Sequence, residues 1–301
     1  MMKGQKMRAR LPRVLLALAF TLAAGQELPG QAPSPLAIST RARALQQGEV
    51  VILDVSCACE GAAGTGTARV FDRIVALAGA PGTSRWSGLI GVDVEKRPGD
   101  YPVSVTIEKP GGPPLTGRYI LTVKAKQFPT RRLTVAPSFV NPPPDALERI
   151  SREAERLESL FRQSTSRDEV GPFRMPVAAT PGNTFGARSV FNGQARNPHG
   201  GLDFGSPTGT PIAAPAGGAV ALAEDLYFTG NTVILDHGRG LYSVLAHLSK
   251  INVTAGDQVG AGEVVGAVGA TGRVTGPHLH WGARLNTARI DPRALVEILA
   301  P

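Results

Sequence analysis

The amino-acid sequence predicts a mainly β protein, with a small N-terminal β-sandwich, one connecting helix and a C-terminal antiparallel β-sheet. Three observations carry this reading. The 301 residues include 36 Gly and 25 Pro, a density of turn formers that suits many short strands. Runs rich in β-branched and aromatic residues recur between those turns. A helical period of apolar residues is sustained over the stretch that follows Pro144. A chain of this length also has room for two hydrophobic cores.

Met1–Gly25 reads as a secretory signal. Lys3, Lys6, Arg8, Arg10 and Arg13 precede the apolar run Val14–Phe20, and the small residues Ala23, Ala24 and Gly25 suit a processing site. The run is short for a membrane-spanning helix, and no later stretch is long and apolar enough, so the mature chain is expected to have no transmembrane segment. The formal net charge of +8 depends on this segment. Five of the 32 basic residues lie in it with no acidic one, which leaves 27 basic against 24 acidic residues, about +3. A nucleic-acid-binding surface would need a concentrated basic face, and none is visible.

Gln26–Pro35 is a short Pro-rich tether. In the region 36–137, the runs Val50–Val55, Tyr101–Ile107 and Arg118–Val123 alternate with turn signals at Pro98-Gly99-Asp100 and Pro110-Gly111-Gly112, which is the spacing of a β-sandwich. No catalytic constellation lies there, so it reads as an accessory domain. Cys57 and Cys59 are the only cysteines. Two apart in a strand they would face the same way, where a disulfide would be strained, so two buried or reduced thiols are expected.

Asn141-Pro142-Pro143-Pro144 interrupts the β pattern, and a connecting helix is expected over 145–167. Asp145 is placed to cap it, with Glu148 in the reciprocal capping position. Leu147, Ile150, Ala154, Leu157, Leu160 and Phe161 form its apolar stripe. The proline hinge would let the helix and the first domain cover a groove in the last domain.

From 171 to 295 the pattern is β again, including a hairpin of Thr232–Asp236 and Leu241–Leu248 about the turn Asp236-His237-Gly238-Arg239-Gly240. The segments Ala221–Gly230 and Gly269–Gly276 read as loops able to wall a groove. This domain holds all five histidines of the chain, four of them in one constellation with a carboxylate: His199, Asp203, His247, His278 and His280. Histidine is a frequent zinc ligand and the usual proton shuttle near neutral pH. Two His plus one carboxylate is the ligand count of a catalytic zinc. His199 and Asp203 are four apart beside Gly200 and Gly201, where an even offset and a bend could bring both to one ion. His278 and His280 share a face if extended, so one could ligate while the other stands beside the metal-bound water; spacing alone does not say which. His247 would approach from a separate strand. Such a site suits amide hydrolysis. Zinc activates water, one free His moves its proton to the leaving amine, and a second donates to the oxyanion.

The blocks Phe185-Gly186-Ala187-Arg188, His199-Gly200-Gly201-Leu202-Asp203-Phe204, Asp236-His237-Gly238, Leu245-Ala246-His247-Leu248 and Gly276-Pro277-His278-Leu279-His280-Trp281 occur in this order. Together they resemble the lysostaphin/LytM-type zinc metallopeptidases, peptidoglycan endopeptidases. The resemblance implies one zinc ion held by His199, Asp203 and His280, with His247 and His278 catalytic. It also implies a peptidoglycan peptide as substrate, while the signal segment Met1–Gly25 implies a place outside the cytoplasm, periplasmic or extracellular. Leu245 departs from the pattern, since many members have Tyr there. Two other readings use the same residues: a non-cleaving wall-binding activator of other hydrolases, and a peptidase acting on a non-wall secreted peptide. Of the remaining candidates, Arg188 could hold a substrate carboxylate or brace a loop, Asn183 and Asn231 read as turn residues, and His237 as a turn histidine with Asp236 as an acceptor for a ligand. Trp281 is expected in the core.

Overall fold

The computed structural model of the chain describes residues 34–59, 65–79, 83–109, 111–134, 140–163, 165 and 170–300, and the backbone of Thr21–Ala24. The remainder of Met1–Gly25 and most of the tether lie outside the described residues.

In the N-terminal region the alternating runs pair antiparallel into one ladder. The strand order is Thr21–Ala24, Leu36–Ala42, Val50–Cys57, Arg85–Gly91, Arg73–Gly79, Gly66–Val70, Gly99–Ile107 and Leu115–Val123. Gly66–Val70 and Leu115–Val123 bury every second residue, as strands with one wet face do. The ladder folds over where Arg73–Gly79 and Arg85–Gly91 share only two paired positions. Its two ends then face each other across a core of Leu53, Ile90, Val103, Ile107 and Leu121, and Thr40 Oγ1 meets the Tyr119 hydroxyl at 2.9 Å. Cys57 and Cys59 depart from expectation: they form a disulfide, with Cα atoms 5.3 Å apart. Cys57 ends its strand and the chain bends at Ala58, so the same-face argument for an extended pair does not hold there.

The connecting helix α1 spans Pro144–Phe161. Its cap also differs from expectation. Pro143 is the N-cap with no side-chain hydrogen bond, and Pro144 fills the first turn, where its missing N–H costs nothing. Asp145 lies one step inside the helix, beside the positive end of its dipole, and Glu148 pairs with Arg152 instead of reaching back. Leu157, Leu160 and Phe161 pack on Leu222, Leu226, Ile234 and Tyr242 of the C-terminal sheet. Arg149 joins Asp225 at 2.9 Å, and Arg156 joins Glu224.

The C-terminal sheet runs Gly201–Phe204, Leu279–Leu285, Leu241–Ile251, Gly230–Asp236, Gly218–Leu226 and Gln258–Val259, all antiparallel neighbours. Gly218–Leu226 is a strand where a loop from Ala221 was expected, so only Tyr227–Thr229 remain as a turn. Asn231 likewise sits in a strand, its side chain donating to Leu248 O. Leu202, Phe204, Val233, Leu235, Leu245 and Trp281 point into the main core, while Ile234, Tyr242 and Val244 point to the face covered by α1.

The first region is anchored to this sheet. Val50, Ile52, Leu89 and Val94 belong to the same core as Leu285, Ala288, Ile290 and Leu295. Around this seam Arg43 donates to Glu49, Asp291 and Glu297, with Lys126 3.4 Å from Glu49, and Arg289 binds Asp93. The seam meets the strand Leu279–Leu285 at its far end, about 16 Å along the chain from His280. The linker pairs instead at Thr130–Leu133, parallel with Arg188–Phe191, just upstream of His199.

The Glu49 side chain has no exposed surface and that of Asp291 is 7 % exposed, so their charges depend on Arg43. Replacing Arg43 with Met is expected to cost about 3 kcal/mol, the low end for a broken buried pair because Lys126 stays. The denaturation midpoint of the full chain reads this.

Candidate metal centre

The site is built on strand register. Asp203 pairs with His280, and His280 pairs with Ala246, so Asp203 and His280 project from the same face of adjacent strands. His199 precedes its strand rather than lying in it. Its N–H donates to Ala187 O and its carbonyl accepts from Gly186 N–H, which fixes the ring beside Asp203. His199 Nε2 lies 3.1 Å and His280 Nδ1 3.0 Å from Asp203 Oδ1.

The donor set fits a divalent ion such as zinc. Two imidazole nitrogens and one carboxylate oxygen converge on one point, and tetrahedral ligand atoms about 2.0–2.1 Å from zinc stand about 3.3 Å from one another. Asp203 is partly buried, which by itself would raise its pKa. The hydrogen bonds from His199 and His280 outweigh this and hold its carboxyl well below the usual carboxylate range. Burial pushes His280 down, despite its contact with Asp203. A neutral imidazole beside a carboxylate anion is the state a metal ligand requires.

His247 reaches the same point by a distortion. Strict alternation would send it to the core face with Leu245, since Ala246 is the residue paired with His280. The ladder to Gly230–Asp236 shifts register between Asn231 and Val233, and His247 takes φ 67°, a left-handed conformation that is costly for a residue with a Cβ. Its ring then stands 4.8 Å from that of His278 and 6.1 Å from that of His280, centroid to centroid. His247 Nδ1 bonds Thr271 O and His278 Nδ1 bonds Gly276 O, both at 2.9 Å. Because carbonyls only accept, Nδ1 carries the proton in each ring and Nε2 is left as the free nitrogen. His278 Nε2 lies 3.9 Å from Asp203 Oδ1. Burial, reinforced by His280, pushes the His247 pKa down to about 4.

The other histidine, His237, has a different use. Its Nδ1 bonds Gly217 O and its Nε2 bonds Ser243 Oγ, which accepts the Trp281 indole N–H at 3.1 Å. Asp236 accepts Gly238 N–H and so closes the hairpin turn rather than serving a ligand. Trp281 is fully buried, as expected. Leu245 is also fully buried in the core, so the departure from the common Tyr changes core packing and not the open side of the site. Arg188 is an exposed strand residue and Asn183 is exposed in a bend. The sequence offered no signal for the Thr271 and Gly276 carbonyls, because backbone acceptors carry no residue identity.

The family model for peptidase family M23 matches residues 197–292, which span all five of these side chains. A crystal structure of a peptidase M23 from Pseudomonas aeruginosa is 33% identical, and the match covers 84% of this chain and 95% of that one with a TM-score of 0.64. The chain belongs to peptidase family M23. The resemblance read from the spaced blocks is thereby borne out, and the match to the Pseudomonas structure extends into the N-terminal strands. DD-carboxypeptidase/endopeptidase Mpg of Neisseria meningitidis is 43% identical over 94 residues, 31% of this chain and 22% of that protein. Peptidoglycan DD-endopeptidase ShyA of Vibrio cholerae is 44% identical over 84 residues, 28% of this chain and 20% of that protein. The chain thus matches about a fifth of the length of these curated relatives.

Two expectations follow from the geometry. A Cβ at Gly201 would collide with the Trp281 carbonyl and stand 2.8 Å from the His280 ring. Gly201→Ala should therefore displace His280 and weaken zinc binding about tenfold or more, as read by competition with a chelating dye. The lowered His247 pKa means its neutral form persists on acidification. The acid limb of kcat/KM assigned to this ring should lie near pH 4 rather than 6.5, with activity falling as pH drops through it.

Proposed function

We propose that this chain is an exported, zinc-dependent endopeptidase that hydrolyses peptide bonds in peptidoglycan cross-links or stems. The observation that carries the reading is the convergence of His199 Nε2, Asp203 Oδ1 and His280 Nδ1, with two further imidazoles beside them. His199, Asp203 and His280 would hold the ion. His247 and His278 would do the proton chemistry. The substrate class is inferred from the relatives whose names state it. Export is inferred from that substrate and from the signal-like pattern of Met1–Gly25. The division of labour is an accessory unit in the N-terminal strands, the connecting helix, and a catalytic unit in the C-terminal sheet.

When bound, zinc polarises a carbonyl and lowers the pKa of its water. The chain's own residues then manage protons. His247 and His278 each keep Nδ1–H on a backbone carbonyl, so each ring presents a basic Nε2. One accepts the proton of the attacking water at Nε2 and returns it from the same atom to the leaving amide nitrogen as the C–N bond breaks. The other, when protonated at Nε2, donates to the oxygen of the tetrahedral carbon. Asp203 stays anionic throughout, because its pKa is far below the working pH.

Digestion of purified peptidoglycan by the zinc-loaded protein, with products resolved by mass, tests this. Release of defined peptide fragments that stops on chelation is the expected result. Absence of any release from intact, zinc-loaded protein would sink the reading. His280→Ala should lose both zinc and activity, whereas His278→Ala should keep zinc and lose about 10²-fold or more in kcat. A non-cleaving activator would be indifferent to the second change.

A further inference from the structure

Two of the three candidate ligands hang from one irregular segment. His199 is tied to it by the Ala187 carbonyl and the Gly186 N–H. Asp203 is tied to it as well: Thr184 Oγ1 accepts the Asp203 N–H at 3.1 Å, and the Gly182 N–H donates to Asp203 O at 2.9 Å. Residues 182–187 belong to no strand or helix, so no ladder of their own holds them. Such a segment keeps its place only through contacts with its surroundings. His280 needs no such help, because its strand is paired on both sides.

Those surroundings come from outside the C-terminal sheet. Phe128 lies between the strands Leu115–Val123 and Thr130–Leu133, and its ring rests on the Cα of Gly186. Gly186 takes φ 74°, and a Cβ there would collide with the ring. Phe128 also meets Phe185 edge-on, with ring centroids 6.3 Å apart. Phe185 is buried and in turn touches the backbone of Gly48, which connects Leu36–Ala42 to Val50–Cys57 and has no room for a Cβ against that ring. Lys126 joins these contacts. Its ammonium lies 5.6 Å from the Phe128 centroid and 5.8 Å from that of Phe185, and its N–H donates to Gln47 Oε1 at 3.2 Å. Just beyond Phe128, the Pro129 carbonyl accepts the Arg188 N–H at 2.8 Å, and the parallel pairing of Thr130–Leu133 follows. The segment is thus fastened at Phe185, Gly186 and Arg188, each time by the N-terminal region or the linker.

We propose that Phe128 is a positioning residue of the metal centre: with Gly48 it clamps residues 182–188, so that the N-terminal region and linker set the placement of His199 and Asp203 and hence the affinity for zinc. The inference rests on the reading of those two residues as ligands and needs nothing of the substrate. The physical reason is preorganisation. Ligands on a loose segment must be ordered when the ion binds, and that lost entropy subtracts from the binding free energy. Ligands on a clamped segment are ordered by folding beforehand.

The test measures zinc affinity of the full-length chain by competition with a chelating dye, beside the denaturation midpoint of the metal-free chain. Phe128→Ala should weaken zinc binding about tenfold or more, as loss of a group that orients a ligand does, at a temperature where the variant stays folded. Phe128→Leu should recover part of the loss. Leu89→Ala truncates the seam on the strand Arg85–Gly91, which packs on Leu279–Leu285. It should lower the midpoint and leave zinc affinity unchanged. Wild-type affinity in Phe128→Ala overturns the inference, as does an equal loss of affinity in Leu89→Ala, which would mark general loosening. Should Phe128→Ala fail to fold, Phe128→Leu is judged by the same two criteria. A wild-type chain that binds zinc and cleaves no peptidoglycan faults the peptidase reading and leaves the positioning role standing. One that binds no zinc overturns the ligand assignment and the positioning role with it.

Discussion

The register of three strands underlies the site. Gly201–Phe204, Leu279–Leu285 and Leu241–Ile251 are aligned so that Asp203, His280 and Ala246 fall side by side. A slip of one residue in either pairing would send His280 into the core and Trp281 to the open face. Trp281 opposes such a slip: it is fully buried, and its indole N–H is held by Ser243, which is held in turn by His237. One strand face thus carries the candidate ligand and the other carries the bolt that keeps it in register. The small residues on the site face, Ala246, Gly201 and Gly282, leave the His280 ring the room it occupies.

Against this regular frame, His247 is placed by an irregularity. A bulge and a left-handed φ rotate it from the core face onto the site face, at a cost on the order of 1–3 kcal/mol for the backbone. The Thr271 loop offsets part of it. Thr271 O accepts His247 Nδ1–H, and Thr271 Oγ1 both accepts Asn231 N–H and donates to Leu248 O. The close approach of Gly230 to Thr271 and Gly272, which leaves no room for a Cβ, lets this loop sit against the sheet. The same loop carries the Gly276 carbonyl that orients His278, so both rings are set by one short segment.

The N-terminal strands contribute at a distance. Their apolar residues continue the C-terminal core, and a cluster of two acids and two bases, with Glu297 at its edge, closes the seam around Arg43. A buried pair of this kind is weak evidence for added stability, but it is intolerant of loosening, because parting the partners strands a charge in low dielectric. Such a seam suits a fixed bracket. Helix α1 instead packs on the face of the sheet to which Tyr242 points, and the linker strand Thr130–Leu133 pairs with Arg188–Phe191 upstream of His199.

Much of this was legible in the sequence, because the signals were local. Alternation with turn formers gives strands, a sustained helical period gives α1, and rare histidines in spaced blocks with a carboxylate mark the centre. The limits were equally physical. Spacing put His278 and His280 on one face but could not choose between them. The structure separates them by contact: His280 Nδ1 meets Asp203, while His278 Nδ1 is taken by Gly276 O. The sequence could not show the bulge that turns His247 over, since that depends on how two strands mismatch. It also misjudged Cys57 and Cys59, because a bend at Ala58 removed the extended geometry assumed for them, and the helix cap, because Pro144 opens the helix and moves the N-cap two residues back to Pro143. Residue types and order along the chain determined the chemistry available to this protein. Pairing register, carbonyls without residue identity and contacts between distant arms were decided only in three dimensions, because they belong to pairs of segments and not to any one of them.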